Sequence, residues 1–132
     1  MNERNTIYVK SFAFAKRIVN LYRFLCERHK EYNLSKQLLR CGTSIGANVN
    51  EAIAAQSKKD FIAKMSIASK EARETAYWIS LLTETHFLDK NDKHVISLQQ
   101  EIEEIIKILT AIVKTSQENL KKESVNTPKG TQ

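Results

Sequence analysis

The sequence predicts an all-α fold, an antiparallel up-down-up-down four-helix bundle. Its 132 residues are enough for one domain, and they include only three glycines and one proline. Because β-rich folds build their turns from these two residue types, their scarcity favours long helices joined by short polar loops. Four segments whose apolar residues recur at helical spacing supply the four helices.

The first two predicted helices cover about residues 6–30 and 35–55, with Ser35 as the expected N-cap of the second. Gly42 and Gly46 lie four apart inside the second helix, where each costs roughly 1 kcal/mol relative to alanine. A cost of this size predicts that a neighbouring helix approaches closely there. The apolar face of the first helix is formed by Phe14, Ile18, Leu21 and Leu25.

The third and fourth predicted helices cover about residues 57–87 and 92–120, and Ser57 is the expected N-cap of the third. Both carry a seam, a line of mostly apolar residues spaced alternately three and four apart that faces the core. The seam of the third consists of Phe61, Met65, Ala68, Ala72, Thr75, Ile79 and Leu82. The seam of the fourth consists of Val95, Leu98, Ile102, Ile105, Leu109 and Ile112. Residues 121–132 are predicted to form a disordered tail.

A second apolar stripe runs along the fourth predicted helix. Ile106, Val113 and Leu120 are spaced seven apart, on a line offset from the main seam. One core-facing seam does not need this extra width, so lipid, a partner protein or a sister subunit should cover the stripe. We expect these three residues to form an oligomer interface.

The chain is basic, with 21 Lys and Arg against 15 Asp and Glu, a formal net charge of +6. Because a basic surface attracts polyanions, RNA or DNA is a candidate partner. The alternative, that the charge serves solubility alone, stays open at this stage. The candidate nucleic-acid-binding residues come from the first helix and from the corner that opens the third: Lys10, Lys16, Arg17, Arg23, Arg28, Lys58 and Lys59.

No catalytic or metal-binding pattern is present in the sequence. A di-iron bundle requires Glu-x-x-His motifs, and no glutamate here has a histidine three residues on. Cys26 and His29 lie on one helix face and could form half of a zinc site, but the spacing of Cys41, His86 and His94 does not complete it. We therefore expect no metal, no cofactor and no enzymatic activity.

The two cysteines are expected to be buried free thiols in a reducing cytoplasm. The N-terminal residues show no apolar signal-peptide region, and no apolar run approaches the roughly 20 residues of a membrane span. The sequence thus predicts a cytoplasmic protein without a membrane partner.

A group of polar residues forms a further candidate site. Ser44, Asn48 and Glu51 follow helical spacing on one face of the second helix, and Glu71 and Glu74 lie on the third. Such a stripe is either a hydrogen-bonded network that fixes helix register, a solvated face or a ligand site. The network is the expected arrangement.

Three segments carry a family resemblance: residues 37–52 (QLLRCGTSIGANVNEA), 57–61 (SKKDF) and 68–74. With them the chain resembles the four-helix-bundle proteins encoded in intervening sequences of bacterial 23S rRNA genes. The resemblance implies a cyclic homopentamer. It also implies kinship with the basic accessory bundles of diversity-generating retroelements, which bind a reverse transcriptase and nucleic acid, and it carries over no catalytic residue.

Charge, pattern and resemblance together predict a non-enzymatic, oligomeric bundle that binds RNA or DNA through its basic surface. The alternative is a protein-binding adaptor or scaffold with no nucleic-acid role.

Overall fold

The computed structural model of the chain describes residues 2–126, and these residues form four α-helices without a strand. The helices are α1 (Glu3–His29), α2 (Leu34–Ile53), α3 (Lys58–Glu84) and α4 (Lys93–Asn126). Within the described part, α1 packs on α2 and α4, and α3 packs on the same two helices, whereas the backbones of the two diagonal pairs stay apart. Consecutive helices are therefore neighbours around a square.

The chain reverses direction at each short loop. One end of the bundle has a cleft lined by Arg4 near the start of α1, Ala52 near the end of α2, Phe61 near the start of α3 and Asn119 towards the end of α4. Adjacent helices thus run in opposite directions, which confirms the predicted up-down-up-down bundle.

The core follows the predicted seams. Every residue of the predicted seams of α3 and α4 is buried, and so are Phe14, Ile18 and Leu25 of α1, while Leu21 is half-buried. Burial of one large aliphatic side chain contributes on the order of 1.5–3 kcal/mol, so this shared core is the main stabilising term of the bundle.

The two glycines of α2 lie where α1 comes closest. A Cβ atom added at Gly42 would be 2.8 Å from Cγ2 and 2.9 Å from Cγ1 of Ile18. At Gly46 it would be 3.3 Å from the carbonyl oxygen of Ser11. The predicted close helix contact is confirmed, and it explains why residues with poor helix propensity occupy the middle of α2.

The start of α2 differs from the prediction, because Glu31 and not Ser35 caps the helix. The Glu31 carboxylate accepts hydrogen bonds from the backbone N–H groups of Asn33 (3.1 Å), Leu34 (2.9 Å) and Ser35 (2.7 Å). Burial of this carboxylate opposes ionisation, but the three donors outweigh burial and hold the pKa of Glu31 below its ordinary value. The carboxylate thus supplies acceptors for amides that a helix N-terminus leaves unpaired.

Other helix ends follow the prediction more loosely. Ser57 caps α3 as predicted, with its Oγ accepting from the Asp60 amide at 3.0 Å. The helix ends at Glu84, not near residue 87, because His86 adopts a left-handed conformation with φ 70°.

The fourth helix continues six residues past its predicted end, through 121–126, so this part of the predicted disordered tail is helical. Lys121, Lys122 and Glu123 are good helix formers, and Glu123 forms an ion pair with Lys58 at the start of α3. Residues 127–132 lie outside the described part.

Candidate nucleic-acid interface

The predicted cations of α1 divide into two groups, of which the first faces α4. Lys10 Nζ lies 2.8 Å from Glu104 Oε1, and Arg17 Nη1 lies 2.8 Å from Glu101 Oε2. Arg17 Nη2 also donates to the carbonyl oxygen of His94 at 3.1 Å. Because each of these charges has a carboxylate partner on α4, Lys10 and Arg17 attract a polyanion less strongly than unpaired cations do.

The second group, Lys16, Arg23 and Arg28, is exposed on the outer side of α1. Among residues 2–126, no carboxylate forms an ion pair with any of the three. The Lys16 ammonium lies 5.6 Å from the centre of the Phe12 ring. Glu27 is the one acidic residue of α1 beyond the first turn. This surface therefore carries uncompensated positive charge.

The predicted basic corner at the start of α3 is separate from that surface. Lys58 forms an ion pair with Glu123, whereas Lys59 is exposed. This corner lies at the end of the bundle where α1 begins, and Arg23 and Arg28 lie towards the opposite end. The seven predicted cations therefore do not form one patch.

The polar group between α2 and α3 is centred on Arg40, which was not among its predicted members. Arg40 forms ion pairs with Glu71, at 3.4 Å, and with Glu74, and its Nε donates to Gln37 Oε1 at 3.3 Å. The indole N–H of Trp78 donates to Glu74 Oε2 at 3.1 Å. The Glu71 side chain is only 13% exposed, so this cluster is an inter-helix clamp that fixes the register of α2 against α3.

The other predicted members of the polar group are not connected to this clamp. Asn48 Nδ2 donates to the carbonyl oxygen and to Oγ of Ser44, at 2.9 and 3.0 Å, within α2 alone. Glu51 pairs instead with Lys64 at 3.5 Å. The sequence did indicate that Arg40 belongs to this polar group, because Arg40 precedes Ser44 by four residues and therefore lies on the same face of α2.

The thiols and histidines do not form a reactive centre within the described residues. Cys41 is buried, and this burial raises the pKa of its thiol, which keeps it protonated and unreactive at neutral pH. The His29 ring packs against those of Phe24 and Phe87, with centroids 5.4 and 5.8 Å away. Across residues 2–126, no three His, Cys, Asp or Glu side chains are grouped to hold a metal ion.

The predicted interface stripe of α4 lies on the side that faces α3. Thr110 of α4 accepts a hydrogen bond from Arg73 of α3 at 3.2 Å, and Ile106 and Val113 lie one turn either side of Thr110. Both are half-buried and pack against the core, so the bundle itself covers part of the stripe. Leu120 is half-buried as well.

The fold and these contacts define a class of protein: a small helical bundle fixed by an apolar core and inter-helix ion pairs. None of its helices within residues 2–126 is long and apolar enough to cross a bilayer. The chain belongs to the 23S rRNA-intervening sequence protein family, whose model matches residues 3–111. The resemblance read from the sequence is thereby confirmed.

A solved structure supports the same assignment. The chain is similar to a protein of unknown function from the S23 ribosomal protein family of Bacteroides thetaiotaomicron VPI-5482, whose crystal structure extends to 1.70 Å resolution. The two are 49% identical with a TM-score of 0.82, over 86% of this chain and 99% of that one. Among curated proteins, none matches the chain.

Proposed function

We propose that this protein is a non-enzymatic, oligomeric helical bundle that binds RNA or DNA through the outer surface of α1. The observation that carries the proposal is the uncompensated charge of Lys16, Arg23 and Arg28, which are exposed and unpaired within residues 2–126. Neutralisation of phosphates by such side chains releases condensed counterions, and this release drives sequence-independent binding to nucleic acid.

Self-association would strengthen this attraction. A symmetric oligomer repeats the same three cations in every subunit, so a modest charge per chain becomes a large collective field. We propose that the half-buried stripe of Ile106, Val113 and Leu120 contributes to the subunit contact, because each retains apolar surface that the bundle does not cover.

The test compares two double variants that remove the same charge from the same helix. Lys16→Gln with Arg23→Gln removes unpaired cations, whereas Lys10→Gln with Arg17→Gln removes cations that already have carboxylate partners. Binding of a labelled 20-nucleotide RNA is measured by fluorescence anisotropy at low salt. We expect the first variant to lose roughly tenfold or more in affinity and the second less than about threefold.

Equal losses in the two variants would show that binding responds to net charge and not to the outer surface of α1. Absence of binding by the unaltered protein at low salt would exclude the nucleic-acid function.

A second candidate function is that of a protein-binding adaptor, with no nucleic-acid role. The observation that favours it is the exposed aromatic surface of α3, where Tyr77 is 59% exposed and its ring centroid lies 5.1 Å from that of Trp78, with the two rings nearly perpendicular. Aromatic side chains are enriched in protein interfaces. This candidate gains support if the RNA titration shows no binding.

A further inference from the structure

A continuous row of exposed side chains runs along α1. Its members are spaced four residues apart, and all six are exposed: Tyr8, Phe12, Lys16, Asn20, Phe24 and Arg28. Residues four apart on a helix are surface neighbours with Cβ atoms about 5–6 Å apart. The row, which we call the α1 ridge, is therefore about 30 Å long at 1.5 Å per residue, and it winds around the outer side of α1 by about 40° per step.

The aromatic members of the α1 ridge are unusually accessible. Phe12 is 60% exposed, Tyr8 44% and Phe24 40%. The phenyl ring of Phe12 lies 5.6 Å from the Lys16 ammonium, and that of Phe24 lies 5.4 Å from the His29 ring. Contiguous exposed apolar side chains rimmed by polar ones are typical of binding surfaces, and Tyr8 and Phe12 are exposed neighbours in this row.

The charge of α1 limits what that surface can bind. Beyond the first turn, Glu27 is the one acidic residue of α1, against five Lys and Arg side chains. A symmetric contact between two copies of this basic face of α1 would bring cations of one copy close to cations of the other, and like charges oppose such a contact. An apolar helix groove would have to desolvate Lys16 and Arg28, which is costly. The charge is complementary to a polyanion.

The exposed aromatic rings of the α1 ridge favour a single-stranded nucleic acid over a duplex. In a duplex the π-faces of the bases are stacked inside, so exposed phenyl rings gain nothing from them. In a single strand the bases are free to stack on aromatic side chains while the phosphates contact cations. Aromatic rings interleaved with cations along one row match that second arrangement.

We propose that the α1 ridge is a binding site for single-stranded nucleic acid. Tyr8, Phe12 and Phe24 stack bases, Lys16 and Arg28 contact phosphates, and no base sequence is selected because every base has a π-face. This inference rests on the proposed function. It adds that the nucleic acid is single-stranded and names the residues that bind it.

The test removes the rings and keeps the charge. The full-length protein and its Phe12→Ala, Phe24→Ala double variant are titrated with a labelled 20-nucleotide oligothymidine and with a 20-base-pair DNA duplex, at several salt concentrations. We expect the double variant to lose at least about tenfold in affinity for the single strand and less than about threefold for the duplex, because one stacked base is worth roughly 5- to 150-fold. The salt dependence should not change, since no cation is lost.

Two controls separate stacking from other effects. Tyr77→Ala removes a ring of equal exposure from α3 and should leave both affinities unchanged. Replacing Phe12 and Phe24 by tyrosine keeps the rings and should restore single-strand affinity to within about threefold. Circular dichroism and sedimentation are expected to show that every variant stays folded with an unchanged mass.

Each contrary result has a distinct meaning. An unchanged single-strand affinity, or an equal loss for the duplex, overturns the proposal. A fall in mass of the double variant shows that the α1 ridge is a contact between copies of the chain, which also overturns it. Loss of binding to phosphatidylserine vesicles with single-strand affinity retained makes a lipid surface the ligand. Failure of the unaltered protein to bind either nucleic acid refutes the proposed function itself.

Discussion

Replacement of Gly42 by alanine sets two known effects against each other. The added methyl group improves helix propensity by about 1 kcal/mol, because glycine is the poorest helix former after proline. The same methyl group would lie 2.8 and 2.9 Å from the two γ-carbons of Ile18, closer than carbon atoms pack. Ile18 is completely buried and β-branched, so rotation about χ1 cannot move both γ-carbons away.

The packing effect should outweigh the propensity gain. Overpacking of a filled core typically costs about 1–3 kcal/mol, and the relief here requires α1 and α2 to separate. After subtraction of the propensity gain, Gly42→Ala should lower the free energy of unfolding by up to about 2 kcal/mol. Gly46→Ala should cost less, because its new methyl group would be 3.3 Å from the nearest atom, the Ser11 carbonyl oxygen.

The assay is urea denaturation followed by circular dichroism, at two protein concentrations so that subunit dissociation is separated from unfolding. A double-mutant cycle isolates the contact: in an Ile18→Ala background, Gly42→Ala should become stabilising by up to about 1 kcal/mol, since the γ-carbons are gone. If Gly42→Ala stabilises the unaltered protein by the full propensity gain, the close contact between α1 and α2 does not limit packing.

Two further predictions concern the cap of α2 and the proposed subunit contact. Glu31→Gln should lower stability at pH 7 by about 1–2 kcal/mol through loss of the charged cap. Because folding lowers the pKa of Glu31 from its ordinary 4.5, the stabilisation is present above that pH and lost as pH falls through the folded-state pKa. Urea midpoints of the two proteins should therefore converge in acid, and a gap that is constant with pH would contradict the cap. Ile106→Gln with Val113→Thr should reduce the mass measured by sedimentation while helicity is retained. Ile96→Gln, on the exposed side of α4, should not. An unchanged mass in the double variant would contradict the proposal that this stripe forms a subunit contact.

The bundle could be predicted from sequence because its seams repeat over many turns. The seam residues from Phe61 to Leu82 and from Val95 to Ile112 are all buried. In these two helices the apolar residues that recur with the helical period are the same residues that face the core. Helix ends are set by few atoms and were less predictable. Glu31 caps α2 from outside the helix, a role that a search for Ser, Thr, Asp or Asn next to the first helical residue does not find.

The sequence predicted which basic residues belong to the candidate site, but not which of them form ion pairs. Which cations of α1 are unpaired depends on the register of α1 against α4, because Lys10 meets a carboxylate 94 residues further along the chain. The same holds for Arg40, whose partners Glu71 and Glu74 lie on another helix. The exposed rings of Phe12 and Phe24 were missed because one-dimensional periodicity does not show which side of an amphipathic helix lacks a neighbour.

The most direct test of the account is the dependence of RNA affinity on salt. Each phosphate contact to a single strand contributes about −0.7 to the slope of log K against log salt concentration. Contacts from Lys16, Arg23 and Arg28 of a single chain therefore predict a slope of about −2, and a steeper one if several subunits contact the same strand. A line of that slope, which flattens when these three side chains are neutralised, is the predicted result. A slope near zero, or one that the three substitutions leave unchanged, would contradict the assignment of the outer surface of α1 as the nucleic-acid interface.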